Sequence, residues 1–193
     1  MNKDKLIHSF YISKLVSLPV AEQIAAHFEH KFIAKGSLHL DEGKICDEYF
    51  FLEKGYIRAF VHDIEGNEVT TGLYQSGDVV FEVSSFFSRS KSKENIVALS
   101  HCEGWVITFE QLNSLFHSIP EFREFGRSVL VKGFAKLKTR MLSMITETAE
   151  QRYAQLLKSS PDLFQHVPLK NIASYLGMTD TSLSRIRKDV SKR

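Results

Sequence analysis

The spacing of apolar residues changes period twice along the chain. Between Phe32 and Phe109, short runs rich in aromatic and β-branched residues are separated by glycine-containing turns, which is typical of the strands of a sandwich or barrel. The predicted strands are 32–34, 37–40, 48–52, 56–61, 68–74, 95–99 and 105–109. Residues 5–30, with Ser17 and Pro19 as a start signal, have helical spacing, and helical spacing returns after Phe109. The pattern predicts a mixed α+β fold.

One long helix is predicted after Pro120, where apolar residues recur at steps of three to five. The positions on its apolar seam are Phe122, Phe125, Val129, Phe134, Leu137 and Met141. Because a helix this apolar is unfavourable in water, we predict that it pairs with its copy in a second subunit, much as a coiled coil does. The alternative is that it packs on its own β domain. A capping box of Thr148 and Gln151 then predicts a new helix to about Lys158.

The pattern in the last quarter of the chain predicts two short helices joined by a tight turn. Their apolar stripes can pack on each other and consist of Ile172, Ala173 and Leu176 in the first helix and Leu183, Ile186 and Val190 in the second. Gly177 lies where a left-handed residue ends a helix, Met178 can fill the corner, and Thr179 can cap the second helix. This pattern predicts a helix-turn-helix, and hence DNA binding.

The face of the second helix opposite its apolar stripe carries the candidate DNA contacts. The full predicted set is Lys170, Thr179, Asp180, Thr181, Ser182, Ser184, Arg185 and Lys188. We expect Arg185 to read a base, because a guanidinium can donate two hydrogen bonds to one guanine edge, whereas the ammonium of Lys188 suits a phosphate. Arg187, Lys192 and Arg193 are expected to follow the DNA backbone. The alternative is that this basic segment is only a solvated helix end.

Charge is distributed unevenly along the 193 residues. The formal net charge is +2, but residues 1–118 carry 11 Lys and Arg against 16 Asp and Glu, and residues 119–193 carry 14 against 7. The basic part is the part with the helix-turn-helix, and clustered positive charge supplies the salt-sensitive component of DNA affinity. Cys46 and Cys102 are far apart in sequence and are expected to be reduced packing thiols. The chain shows no secretory or membrane segment, so we expect a cytoplasmic protein without membrane contact.

An acidic β domain, a long apolar helix and a helix-turn-helix, in that order, resemble the Crp/Fnr family of bacterial transcription regulators. The motifs that carry the resemblance are 51–55, ending in Gly55, 74–78, ending in Gly77-Asp78, and 172–179 with 183–187. It implies a cyclic-nucleotide-binding-like β-roll, a double-stranded β-helix with flanking helices, at residues 1–118. It also implies a dimerisation helix at 119–145 and an all-α DNA-binding domain at 146–193. The implied partners are a second copy of the chain, a pseudo-palindromic DNA operator and RNA polymerase.

The effector segment departs from the family's pattern. Glu82 matches the carboxylate that holds the ribose, but Phe81 stands where the family has glycine, and Ser92 falls where it has the phosphate-binding arginine. Arg89, or lysines in a shifted loop, could replace that arginine; we therefore take Glu82, Arg89 and Ser92 as the candidate effector residues and predict no gating by a cyclic nucleotide. Two isolated cysteines cannot ligate an iron–sulfur cluster, and no histidine is marked as a haem ligand, so no cofactor is predicted and the effector is not identified. The family's Arg-Glu pair at the start of the reading helix is replaced by Asp180-Thr181.

Two other classes of function compete with a regulator. A β-roll also hosts cupin enzymes, which need a His-x-His pair, whereas His39, His62 and His101 lie singly on separate segments. The second class is an adaptor that binds RNA polymerase or another protein without specific DNA contact. With no nucleophile motif and no phosphate-binding loop, we expect that the chain is not an enzyme.

Overall fold

Eight short strands, all paired antiparallel, occupy the region in which the aromatic and β-branched runs occur. The structure is a computed structural model and describes residues 2–190. The strands are β1 (Glu29–Ile33), β2 (Leu38–Leu40), β3 (Glu48–Lys54), β4 (Ile57–His62), β5 (Glu68–Tyr74), β6 (Val79–Val80), β7 (Asn95–Ala98) and β8 (Cys102–Thr108). They form two four-stranded sheets, in the orders β1-β8-β3-β6 and β2-β7-β4-β5. The apolar side chains of both sheets share one core, as the strand pattern predicts for a sandwich or roll.

Helices precede, interrupt and follow the strands. They are α1 (Asp4–Tyr11), α2 (Leu18–Ala26), α3 (Val83–Ser88), α4 (Phe109–Ser118), α5 (Pro120–Thr146), α6 (Ala149–Ser159), α7 (Leu163–His166), α8 (Leu169–Tyr175) and α9 (Asp180–Val190). The mixed α+β fold and the capping box of Thr148 and Gln151 at the start of α6 are confirmed. The short elements β6, α3 and α7 carry too few residues for a periodic signal.

The prediction of helical structure over residues 5–30, with a start signal at Ser17 and Pro19, is confirmed for α1 and α2 and is wrong for Glu29 and His30. The chain leaves α1 after Tyr11, passes through Lys14 in the left-handed region (φ 60°), and starts α2 after Ser17. Lys14 interrupts the helix because a left-handed residue cannot continue right-handed geometry. Glu29 already belongs to β1, which pairs with β8 from Glu29 to Ile33. Tertiary pairing with β8 thus overrides the helical spacing of this segment.

The long helix α5 is one continuous helix of 27 residues, as predicted, but its two ends have different surroundings. Phe122 and Phe125 are buried in the core of their own chain, where each ring meets Phe10 edge-on with centroids 5.7 and 5.3 Å away. Val129 packs on the same core. Phe122 and Phe125 follow the alternative interpretation, in which the helix covers its own β domain, and the expectation that these two form a dimer face is corrected. Val129 is only partly buried, so its place in a dimer face stays a prediction.

The remainder of α5 has no such cover within the described chain. Phe134 is 69% exposed, Leu137 62% and Met141 54%. The expected seam therefore survives only in its second half, where these apolar side chains are exposed. Over residues 2–190, no helix combines the length and the apolar character that crossing a bilayer requires.

Candidate DNA-reading surface and effector cavity

The turn between α8 and α9 is closed by backbone hydrogen bonds that depend on Gly177. This glycine has a φ of +66°, in the left-handed region that a side chain disfavours. The N–H of Gly177 donates to the carbonyl of Ser174 at 3.1 Å, and that of Met178 donates to the carbonyl of Ala173 at 3.0 Å. These two bonds are the Schellman arrangement that ends a helix sharply. The glycine therefore fixes the angle at which α9 leaves α8.

Thr179 caps α9 as the sequence suggested. Its hydroxyl accepts a hydrogen bond from the backbone N–H of Ser182 at 3.2 Å and donates to the hydroxyl of Ser182 at 2.9 Å. The side chain of Ser182 is half-buried. Because both hydroxyls are engaged in the cap, Thr179 and Ser182 serve the geometry of the helix start, and their freedom to contact DNA is limited.

The apolar stripes of the two helices meet in a second core. Ile172, Ala173 and Leu183 are completely buried, and Leu176 is 5% exposed. Tyr153 of α6 joins this core, together with residues of α7 and the partly buried Ile186 and Val190. Burying a side chain of the size of isoleucine or leucine contributes roughly 1.5–3 kcal/mol. The packing leaves the opposite face of α9 outward.

The outward face of α9 carries the residues expected to touch DNA. Lys170, Asp180, Thr181, Ser184, Arg185 and Lys188 are all exposed. The set expected to face the groove is Thr181, Ser184, Arg185 and Lys188, which spans about 100° of the helix circumference because residues advance by about 100° each. Lys170 lies in the first turn of α8. Arg187 is also exposed, whereas Lys192 and Arg193 lie outside the described residues.

Two arginines that the sequence did not single out hold the helix-turn-helix in place. Arg152 of α6 donates from Nε to the carbonyl of Leu176 at 2.9 Å and from Nη1 to the carbonyl of Glu147 at 2.6 Å. Arg140 of α5 donates to the carbonyl of Tyr175 at 2.9 Å. Their partners are backbone carbonyls, which have no signature in the sequence, so residue patterns could not have identified this role.

The side chains of the three candidate effector residues are all engaged in hydrogen bonds within the β-roll domain. The carboxylate of Glu82 accepts hydrogen bonds from the backbone N–H groups of Ser84 and Ser85 at 2.9 and 2.6 Å, and so caps α3. Phe81 packs beside it, with ring centroids 5.2 Å from both Tyr49 and Phe86. Phe81 thus occupies the position at which the family has glycine, next in sequence to the carboxylate that matches the family's ribose ligand.

Arg89 and Ser92 have structural partners of their own. The guanidinium of Arg89 pairs with Asp47, donates to the carbonyl of Cys46 at 3.1 Å, and lies 4.4 Å from the ring of Phe109. Ser92 is buried, and its hydroxyl donates to the carbonyl of Glu94 at 2.8 Å. Neither side chain offers the open donor pair that a phosphate needs.

A cavity of about 700 Å³ lies between the β-roll and α5. Its walls include Thr71, Leu73, Tyr74, Phe81, Phe125 and Arg140. Burial raises the pKa of Tyr74, so its phenol stays protonated. Burial also raises the pKa of the nearby carboxyl of Glu94. The cavity is predominantly apolar and large enough for a small molecule.

The three histidines considered for a cupin-type metal site lie in different surroundings. His39 is buried beside Phe50, His62 lies 3.5 Å from Glu42 at the surface, and His101 stacks on Phe32. Within residues 2–190, no group of three or more His, Cys, Asp or Glu side chains is arranged to hold a metal ion. Cys46 and Cys102 are buried free thiols, and burial raises the pKa of each.

Comparisons with known proteins agree with this architecture. The cyclic nucleotide-binding domain family matches residues 30–118. The cAMP-activated global transcriptional regulator CRP of Salmonella typhimurium is 20% identical over 181 residues, which cover 88% of this chain and 86% of that protein. FixK2 of Bradyrhizobium japonicum has a similar structure, with a TM-score of 0.75, 14% identity and coverage of 86% and 85%. A CooA variant of Carboxydothermus hydrogenoformans gives a TM-score of 0.68, 18% identity and coverage of 88% and 79%. Residues 30–118 therefore match the cyclic nucleotide-binding domain family, and the resemblance of the chain to Crp/Fnr-type regulators is confirmed.

Proposed function

We propose that this chain is a homodimeric, sequence-specific DNA-binding transcription regulator of Crp/Fnr type that acts in the cytoplasm. The observation that carries the proposal is the exposed face of α9, on which Thr181, Ser184, Arg185 and Lys188 lie opposite the buried Leu183. A helix held in this way by a preceding helix and a glycine turn is the arrangement that places side chains in a major groove. We keep 1–118, 119–145 and 146–193 as the proposed domain boundaries.

Self-association is supported by the second half of α5. Its exposed apolar side chains are Leu130, Val131, Phe134, Leu137, Met141, Leu142 and Ile145. Positions 130, 134, 137 and 141 are spaced by four, three and four residues, which is the heptad pattern of a helix pair. Monomeric globular proteins rarely expose apolar rows of this length. A dimer would bury the row and place two copies of α9 on two half-sites, with RNA polymerase as a further proposed partner.

The surroundings of Glu82 support independence from cyclic nucleotides. We expect an isothermal titration of the protein with cyclic AMP or cyclic GMP to give no saturable binding at micromolar concentrations. Phe81, in place of the family's glycine, takes space that the sugar would need, and Ser92 stands where the family has the arginine that binds the phosphate. CRP of Salmonella typhimurium, the cAMP-activated relative, serves as the positive control. A micromolar dissociation constant for either nucleotide would contradict this part of the proposal.

The test of DNA reading compares two substitutions on the same helix face. A duplex operator is first selected from random DNA by the wild-type protein. Arg185→Ala is expected to relax the preference at one base position by roughly 1–3 kcal/mol, because it removes a bidentate donor. Lys188→Ala is expected to weaken operator and random DNA alike and to reduce the slope of affinity against salt by about one. Fluorescence anisotropy across a salt series measures both effects.

The matched control is Lys35→Ala, which removes one exposed positive charge from the β-roll and should leave both affinities unchanged. Equal losses on operator and random DNA from Arg185→Ala would show that Arg185 reads no base. A wild-type protein that selects no sequence, or selects one without two-fold symmetry, would overturn the regulator proposal in favour of an adaptor that does not read DNA.

A further inference from the structure

The geometry points to Arg140 as the positioning residue that fixes the helix-turn-helix against the β-roll. Arg140 lies on α5, the proposed dimer helix, and its guanidinium reaches both β5 and the end of α8. The inference rests on the proposed function, because orientation of α9 matters only when α9 reads DNA. It assigns to Arg140 the role of relating the reading helix to the dimer axis.

The guanidinium of Arg140 bridges three backbone carbonyls. Nη1 donates to Thr71 at 2.8 Å, while Nη2 donates to Tyr175 at 2.9 Å and to Thr70 at 3.3 Å. The guanidinium carbon also lies 4.1 Å from the ring centroid of Tyr175. The carbonyl of Tyr175 belongs to the last turn of α8, where a cation is favourable because the helix dipole is negative there.

A second contact joins the same two elements without Arg140. The backbone N–H of Thr70 donates to the hydroxyl of Ser174 at 2.8 Å. β5 is the last strand of its sheet, so α8 covers an edge that has no further strand beside it. The α8–β5 contact thus consists of Thr70, Thr71, Ser174, Tyr175 and Arg140. Leu73 of β5 is 8% exposed and belongs to the core of the helix-turn-helix.

The other contacts between the β-roll and the helix-turn-helix are less directional than the hydrogen bonds of Arg140. Tyr56 and His166 stack with ring centroids 4.6 Å apart, and Leu99 packs against the same core. Stacking and apolar packing tolerate sliding, whereas the planar guanidinium fixes direction through separate N–H groups. Arg140 is therefore the group in the α8–β5 contact that ties α5, the β-roll and α8 together at one point.

The α8–β5 contact leaves the candidate DNA-binding face of α9 exposed, and it restricts the orientation of α9 relative to the β-roll. Lys170, Arg185 and Lys188 stay exposed with α8 in contact with β5. In a dimer joined through α5, the distance between the two reading helices is then set by Arg140 on each side. Loss of Arg140 should weaken binding to two half-sites more than binding to one, because only the paired mode needs a fixed separation.

The experiment uses two variants of the full chain. Arg140→Met keeps most of the aliphatic stem and removes the hydrogen-bond donors. Arg140→Lys keeps the positive charge and loses the planar donor group. The matched control is Arg127→Met on the same helix, whose side chain is 70% exposed and pairs with Glu124. Hydrogen–deuterium exchange is read in peptides covering 68–75 and 169–176, with peptides from 48–54 as the internal reference.

We expect exchange in both contact segments to rise at least tenfold in the two Arg140 variants and to stay unchanged in Arg127→Met. Affinity for the selected operator should fall at least tenfold in Arg140→Met, with less than a twofold change for a duplex carrying one half-site. Ser174→Ala, a milder change in the same contact, should give a smaller effect of the same kind and keeps the test open if Arg140→Met unfolds.

Wild-type exchange rates in both contact segments of Arg140→Lys and Ser174→Ala would overturn the inference. Equal losses on one half-site and on the full operator would also overturn it, since they indicate general destabilisation. If the wild-type protein selects no DNA sequence, the proposed function fails, and the exchange data still decide whether Arg140 holds α8 on β5.

Discussion

Replacing Phe134 by glutamate is expected to convert the proposed dimer to a monomer. Phe134 is 69% exposed in the single chain and lies at the centre of the heptad row on α5. Burying one phenylalanine contributes roughly 1.5–3 kcal/mol, and a two-fold dimer buries it twice. The substitution should raise the dimer dissociation constant by at least about 100-fold, since every 1.4 kcal/mol is tenfold. Analytical ultracentrifugation across a concentration series measures the change directly.

Ile64→Glu is the matched control. Ile64 is fully exposed in the turn between β4 and β5, and the substitution likewise replaces an apolar side chain with an acidic one. It should leave the dimer intact. Operator affinity should fall with the dimer in Phe134→Glu and stay unchanged in Ile64→Glu. An unaltered sedimentation coefficient for Phe134→Glu at all concentrations would show that α5 does not form the interface.

Acid is expected to destabilise the β-roll through one histidine. The side chain of His39 is 2% exposed, its Nδ1 has no hydrogen-bond partner, and the carboxylate of Glu48 lies 3.6 Å away. Burial, reinforced by the charge of Lys31 and opposed by that of Glu48, lowers the pKa of His39 from 6.5 to about 4. Desolvation dominates because a buried imidazolium has lost its water without gaining a hydrogen bond.

The direction of the pH effect follows from proton uptake. Between pH 6.5 and 4 the unfolded chain binds a proton at His39 that the folded chain does not, so the free energy of unfolding falls as pH decreases. The stabilisation is complete above pH 6.5 and is lost progressively down to about pH 4. We expect a loss of about 2 kcal/mol between pH 7 and pH 5 from this site. Urea unfolding at a series of pH values measures it.

His39→Leu should remove most of this pH dependence, whatever its effect on stability at pH 7. His62→Gln is the control, because its imidazole is exposed and pairs with Glu42 at the surface. It should keep the wild-type slope. The same slope in His39→Leu as in the wild type would show that the acid sensitivity arises from another group.

The helix-turn-helix was predictable because its determinants are local. Ile172, Leu176 and Leu183 define two stripes, Gly177 breaks the helix and Thr179 caps the next, all within about twenty residues. The strand region was equally readable from its short aromatic runs. In such segments propensity, period and turn chemistry favour the same structure.

Long-range packing set the features that the sequence left open. The spacing of Phe122 and Phe125 is that of a seam, but α1 brings Phe10 against them, so the first part of α5 turns inward. Glu82 matched a motif, yet its carboxylate satisfies N–H groups of α3. Arg140 had no visible signal, because its carbonyl partners are 35 or more residues away in the chain.

The edge of β5 that α8 covers has a consequence for the solubility of this protein. An edge strand presents unpaired N–H and C=O groups that can join a strand from another molecule. Here α8 screens that edge, with Ser174 accepting the N–H of Thr70. When α8 leaves, the same strand becomes a template for intermolecular sheet growth. Variants that weaken the contact between α8 and β5 should therefore aggregate in concentrated solution. The solubility of a variant then reports whether α8 remains on β5.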